Sequence, residues 1–98
     1  MRLNWIQFRN RKIGAFTTPQ FIDQEPEIAA MQLSRALQMD EKGEHDKVYK
    51  DLVMFHCGTF DDETGALVPL EEPRELLRCA DVIIQRKEIL NGNKDSSN

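Results

Sequence analysis

The residue types best suited to chemistry lie in the first 22 positions of the chain, where basic side chains and aromatic rings are interleaved. The basic residues are Arg2, Arg9, Arg11 and Lys12, and the rings are Trp5, Phe8, Phe16 and Phe21. Aromatic rings stack on unpaired bases, at about 1–3 kcal/mol per base, and basic side chains neutralise phosphates. The segment therefore predicts a surface for nucleic acid, with these candidate contacts: Arg2, Arg9, Arg11, Lys12, Trp5 and Phe16.

The charge of this segment differs from that of the rest of the chain. Residues 1–22 contain no acidic residue, although the whole chain has 13 Lys and Arg against 17 Asp and Glu, a net charge of −4. An acidic protein binds a polyanion poorly unless its positive charge is segregated on one surface. The nucleic-acid prediction therefore depends on the four basic residues lying together in the folded chain.

No pattern in the sequence indicates catalysis or a metal site. Asp61, Asp62 and Glu63 are consecutive, and because consecutive carboxylates rarely converge on one ion, they are interpreted as turn residues. His56 and Cys57 are adjacent, so on a strand they point to opposite faces and cannot act together as base and nucleophile. Glycine-rich phosphate loops and the GxSxG, HExxH and CxxC motifs are absent from the sequence. We therefore expect that the protein is not an enzyme and that it binds no metal ion and no cofactor.

The composition is typical of one small globular domain. Of the 98 residues, 40% are apolar and 31% charged, close to the averages of folded soluble proteins. No apolar run approaches the roughly 18 residues that span a bilayer, and the N-terminus lacks the apolar segment of a secretion signal. We expect a cytoplasmic protein without membrane contact, with Cys57 and Cys79 as free thiols. The domain is predicted over residues 1–90, with a disordered tail over 91–98.

The N-terminal residues that would carry the surface are predicted to form strands. Residues 2–9 are rich in β-formers, but their apolar alternation slips midway, which indicates a central strand covered on both faces or one with a bulge. A second short strand is expected over 13–18, ended by Pro19. For Trp5 and Phe8 the strand pattern favours an alternative to base stacking, because rings in a short amphipathic strand more commonly pack in the core.

The remaining elements complete an α+β fold. A first helix is predicted to begin between Asp23 and Pro26, capped by an acidic residue, followed by an exposed loop over 40–46. A central strand over 51–60 leads into a hairpin over 60–66. A second helix is predicted to open at Glu71-Glu72-Pro73 and to end at Asn91-Gly92. The prediction is a mainly antiparallel sheet of about four strands with two helices on one face.

Two stretches of the sequence are similar to the small nonstructural protein of gokushoviruses, which are single-stranded DNA phages of the microvirus group. The first is NRKIGAF over residues 10–16, followed by Pro19-Gln20-Phe21. The second is FHCGTFDDETG over residues 55–65, a hydrophobic strand ending in a D-x-x-T-G turn. The resemblance covers residues 3–73, in the same order and at the same separation.

The resemblance implies a protein made in the infected bacterial cell and absent from the mature shell. It would be a DNA-binding or packaging accessory that acts while single-stranded genomes are synthesised and loaded into procapsids. By position, Arg11 and Lys12 would contact phosphates, supported by Arg2 and Arg9. The chain departs from the family where Gln20 replaces a second aromatic residue, and in a helical extension over 74–90 that is a candidate for oligomerisation.

A second functional hypothesis is a protein-interaction module without direct DNA contact. It would dock on phage capsid, pilot or replication proteins through its acidic surfaces, or through exposed apolar residues of the second helix at Ile84, Ile89 or Leu90. A homodimer is compatible with either hypothesis, because the second helix is apolar on more than one side at Val82, Ile83 and Ile84.

Overall fold

The computed structural model describes the backbone of residues 1–96 and the side chains of residues 1–91. Within them, a five-stranded antiparallel sheet carries two long helices on one face. In chain order the elements are β1 (Arg2–Asn10), β2 (Ala15–Phe16), β3 (Gln20–Ile22), α1 (Pro26–Met39), α2 (Asp46–Tyr49), β4 (Leu52–Asp61), β5 (Leu67–Arg78) and α3 (Cys79–Ser96). The α+β prediction is confirmed, with five strands and three helices in place of about four and two.

β1 lies in the interior of the sheet, paired with β4 along one side and with β2 and β3 along the other. Its side chains alternate along the strand, so Ile6 and Phe8 face the helices while Leu3 and Trp5 face the opposite side. The register shifts between Trp5 and Ile6, where β4 has one extra residue, Cys57. The irregular alternation of apolar residues in β1 therefore arises because both faces of this strand carry apolar side chains. The extra residue of the irregularity lies in β4, not in β1.

The core lies between the sheet and the two long helices. One buried cluster contains Ile6, Ala30 and Met54, and a second contains Leu37, Cys79 and Val82. Fully burying a side chain of the size of Leu or Ile stabilises the fold by about 1.5–3 kcal/mol. Phe8 packs against both clusters, as the core interpretation predicted, whereas Trp5 belongs to neither.

The segment 71–78 is a strand, so the predicted helix start at Glu71-Glu72-Pro73 is wrong. β5 continues to Arg78, and α3 begins only at Cys79. β5 pairs with β4 up to Pro69 and again from Arg74, and residues 70–73 have no partner on β4. Pro73 therefore lies outside the ladder, where its missing N–H costs no hydrogen bond with β4.

Three further elements differ from the sequence prediction. β2 covers only Ala15–Phe16 of the strand expected over 13–18 and ends before Pro19, and a further strand, β3, follows Pro19 and pairs with β1. The polar segment 40–46 leads into α2, a single helical turn. α3 includes residues 91–96 of the predicted tail and passes the expected end at Asn91-Gly92, while residues 97–98 lie outside the described residues.

The ends of the elements use the predicted residue types in partly different roles. α1 begins at Pro26, but Glu25 at its N-cap makes no side-chain capping hydrogen bond. In the β4–β5 hairpin, Gly65 has a φ of +75° and donates its N–H to the carbonyl oxygen of Asp61 at 2.8 Å. The Asp61 carboxylate, rather than that of Asp62, accepts a turn N–H, from Glu63 at 2.9 Å. Over residues 1–96, no helix is both long and apolar enough to cross a bilayer.

Candidate nucleic-acid interface

One face of the sheet lies opposite the face on which α1 and α3 pack. We call it the open face and define it by these residues: Leu3, Trp5, Gln7 and Arg9 of β1, Phe16 of β2, Phe21 of β3, and Phe55 and Phe60 of β4. They share a face because they are cross-strand partners, Arg9 with Phe16, Trp5 with Phe21, Gln7 with Phe55 and Leu3 with Phe60. The sequence analysis expected both faces of β1 to be covered, but the second face is aromatic and partly exposed.

The rings of the open face form two pairs with Trp5 between them. The centroids of Phe16 and Phe55 lie 5.6 Å apart in an edge-on arrangement, and those of Phe21 and Phe60 lie 5.0 Å apart. Phe16 is 45% exposed and Phe21 is 41% exposed, while the other three rings are half-buried. Ring pairs of this kind fix each other's orientation and leave part of each ring surface available for stacking.

The indole of Trp5 is held in place by its neighbours on the sheet. Its Nε1–H donates to Gln7 Oε1 at 2.9 Å, and Gln7 Nε2 donates to the carbonyl oxygen of Thr17 at 2.7 Å. On the other side, Trp5 lies across from Gly58, where a Cβ atom would be only 2.8 Å from indole Cε3. A glycine at this position of β4 therefore makes the room that the ring occupies.

A basic turn, residues 10–14, joins β1 to β2 at one end of the open face. Asn10 Oδ1 accepts the N–H groups of Lys12 at 3.0 Å and Ile13 at 3.3 Å, and Gly14 closes the turn with a φ of +67°. Arg11 donates its N–H to the carbonyl oxygen of Asp51 at 2.8 Å, which ties the turn to the segment before β4. The backbone is thus fixed while the side chains of Arg11 and Lys12 are exposed.

Three cations at this end of the sheet have no carboxylate partner among the described side chains. No Asp or Glu oxygen of residues 1–91 lies within 4.0 Å of a cationic nitrogen of Arg9, Arg11 or Lys12. The Arg9 guanidinium instead lies 6.0 Å from the centroid of the Phe16 ring, which places positive charge directly beside an exposed aromatic surface. These charges are available to an anionic ligand.

Arg2 lies apart from the other three basic residues. It pairs across the sheet with Asp61 at the opposite end of β1, about 23 Å from Arg9 at the usual rise per strand residue. The pKa of Asp61 is lowered chiefly by the backbone N–H of Glu63, with a smaller contribution from Arg2. The N-terminal amine binds Asp62 at 2.7 Å, which raises the pKa of that amine. Arg2, although predicted as a contact, therefore does not lie with Arg9 and the basic turn.

Three rings of the open face are not among the predicted contacts, namely Phe21, Phe55 and Phe60. Phe21 lies in the basic N-terminal segment itself, whereas Phe55 and Phe60 lie in β4, far along the chain, and no local pattern links those two to that segment. The alternation of side chains along β4 does not by itself place Phe55 and Phe60 on one face, because the extra residue, Cys57, lies between them and reverses the alternation. Only the pairing of β1 with β4 brings them beside Phe16 and Phe21.

The two cysteine side chains are buried. Cys57 and Cys79 are free thiols. Burial raises the pKa of both, that of Cys79 to about 11, so neither is a ready nucleophile. Among the described residues there is no group of three or more His, Cys, Asp or Glu side chains arranged to hold a metal ion.

One comparison with known proteins identifies a family. The profile of one protein family, described as Phage ORF5 protein, matches residues 4–82 of the chain. No curated protein and no solved structure matches it. The matched segment contains β1 from Asn4 onward, the basic turn, the other four strands and the start of α3.

Proposed function

The chain belongs to the Phage ORF5 protein family, and we propose that this phage accessory protein binds single-stranded DNA without sequence preference through its open face and basic turn. The observation that carries the proposal is the juxtaposition of exposed rings with cations that lack a carboxylate partner within the described residues. Single-strand-binding proteins combine these two features, a charged path for the backbone and aromatic platforms for the bases.

The shape and chemistry of the surface favour an unpaired strand. Flat rings on a sheet stack only on bases that are free of a partner, whereas duplex readout needs an element that enters a groove. The open face has no projecting helix or ribbon among its defining residues. Unpaired DNA is therefore the ligand that the open face suits best.

The same surface offers little to distinguish one base from another. Gln7 has the one side-chain amide on the open face, and both of its polar atoms are already engaged, with Trp5 and with Thr17. Reading a base requires free donors and acceptors at its edge. These features support sequence-tolerant binding.

The biological setting follows from the family and the sequence resemblance. We propose a non-enzymatic accessory of a gokushovirus-type phage, acting in the cytoplasm of the infected bacterium during the synthesis or packaging of the single-stranded genome. A protein that coats unpaired DNA without reading it suits either stage, because both expose single strands of arbitrary sequence.

The experiment is an anisotropy titration of labelled oligo-dT at several salt concentrations. Each phosphate neutralised on a single strand contributes a slope of about −0.7 in log affinity against log salt, so the three unpartnered cations predict about −2. A slope near zero, or no binding at low salt, would rule the proposal out.

A second candidate function, docking on phage capsid, pilot or replication proteins, is favoured by apolar side chains on α3. Ile84 is 53% exposed, Ile89 58% and Leu90 38%, whereas Val82 and Ile83 are buried in the fold. Such exposed residues suit a protein partner or a second copy of the chain. Pull-down of co-expressed phage proteins with an Ile84→Ser, Ile89→Ser variant, alongside light scattering, separates this function from DNA binding.

A further inference from the structure

We infer that the open face has three stacking stations and that, within binding that reads no base edges, stacking strength alone gives it a modest preference for short, weakly self-stacked, pyrimidine-rich stretches of single-stranded DNA. The first station is the pair Phe16 and Phe55, the second is Trp5, and the third is the pair Phe21 and Phe60. The inference rests on the proposed function and specifies the ligand of the same site.

The stations follow from the register of the sheet. The first ring pair spans the levels of Arg9 and Gln7 on β1, and the third station spans the levels of Trp5 and Leu3. Their centres are thus four strand residues apart, about 13 Å at the usual rise per residue. The indole of Trp5, directed towards Gln7 and over Gly58, lies between them.

This spacing requires neighbouring bases to separate from each other. Three bases distributed over about 13 Å are about 6–7 Å apart, roughly twice the 3.4 Å rise per base in a stacked strand. Each base therefore leaves its neighbour to stack on a protein ring. The free-energy cost of this exchange is smaller for DNA whose bases stack weakly on one another. Pyrimidines stack more weakly than purines.

The charges fix the position of the backbone relative to the stations. Arg9 lies beside the first station and the basic turn lies just beyond it, whereas the third station ends near Asp61, Asp62 and Glu63. Phosphates are therefore attracted to the end of the open face at the first station and not to the end at the third station. The bound strand therefore extends past the first station onto the basic turn, with its three stacked bases at the opposite end.

The test is an abasic scan of oligo-dT hexamers with the full-length protein. One base is removed at each position in turn, and affinity is measured by anisotropy at low salt. Three adjacent positions at one end of the hexamer should each lose roughly 5- to 150-fold in affinity, and the other three should lose little. The intact dT hexamer should bind more tightly than the dA hexamer.

The outcomes separate this inference from the proposed function. If no intact hexamer binds, the proposed function fails with it. If the dT hexamer binds but the loss is uniform along the strand, confined to one position, or accompanied by tighter binding of dA, the three stations are wrong and the binding stands. Because the changes in the abasic scan are made in the DNA, the scan does not depend on the folding of a protein variant. As a separate check, a Phe21→Leu variant should remove the sensitivity of the outermost position alone.

Discussion

Trp5 and Gly58 lie directly opposite one another on β1 and β4, and the indole occupies the space that a side chain at position 58 would need. A Cβ at this position would lie 2.8 Å from Trp5 Cε3 and 2.3 Å from the carbonyl oxygen of Val68 on β5. One glycine thus allows the strands to approach closely and leaves room for the central ring of the open face.

The substitution Gly58→Ala tests this relationship. The added methyl group must displace the indole or separate β4 from β5, so we expect a loss of about 1–3 kcal/mol in the free energy of unfolding. Urea unfolding gives that quantity, and the emission maximum of Trp5 reports the displacement. In a Trp5→Leu background the cost should be smaller but still measurable, because the backbone contact with Val68 persists. Unchanged stability and emission would show that the ring does not need the glycine.

Charge reversal in the basic turn should weaken DNA binding without unfolding the protein. Arg11→Glu with Lys12→Glu replaces two exposed cations, and we expect affinity for oligo-dT to fall at least about tenfold and the salt slope to become shallower. The matched control is Arg35→Glu with Lys42→Glu, which makes the same change in net charge on α1 and the loop after it. If both double variants lose affinity equally, net charge rather than the basic turn governs binding.

The buried ion pair between Asp46 and Arg86 should matter for stability. Arg86 is 6% exposed, binds the Asp46 carboxylate, and donates from Nη1 to the carbonyl oxygen of Leu37 at 2.7 Å, joining α2 and α1 to α3. Removing one partner leaves the other charge buried, so Arg86→Met should cost about 3–5 kcal/mol in urea unfolding. Lys87→Met removes a cation 61% exposed and 3.9 Å from the same carboxylate, and should cost under about 1 kcal/mol. Equal effects would contradict the assigned role.

Stability should fall in alkaline solution because of Cys79. Burial raises the pKa of its thiol from 9.0 to about 11, so between these values the folded protein holds a proton that the unfolded chain has lost. The free energy of unfolding should therefore decline from about pH 9 to pH 11, by roughly 1–3 kcal/mol. Chemical unfolding at a series of pH values measures it. A Cys79→Ala variant should show a shallower decline, and identical declines would contradict the assignment.

The features that could be predicted from the sequence are those encoded by neighbouring residues. The hairpin at Gly65 and the start of α1 at Pro26 depend on local turn chemistry and on the fixed φ of proline, and each lies where it was expected, although Glu25 makes no capping hydrogen bond. The apolar pattern of β1 correctly indicated an interior strand, but its second face is partly exposed rather than covered, and the extra residue lies in β4.

The features that could not be predicted depend on contacts between distant segments. Glu71, Glu72 and Pro73 have the composition of a helix start, but the residues on either side, up to Pro69 and from Arg74, pair with the edge of β4, and the segment between them stays extended. The full set of rings on the open face could not be predicted for the same reason, because Phe55 and Phe60 lie beside the other rings only through the register of β4 on β1. Arg2 was grouped with the other cations by sequence proximity, although an extended strand carries it to the far end of the sheet.

The central claim, that single-stranded DNA lies on the open face, is tested most directly by the fluorescence of Trp5, the one tryptophan of the chain. Oligo-dT is titrated at low salt while Trp5 emission and the anisotropy of a label on the DNA are followed in the same sample. We predict that emission is quenched in proportion to the anisotropy rise, and that added salt reverses both. Binding that leaves the emission of Trp5 unchanged would contradict the claim, because the DNA would then lie elsewhere on the protein.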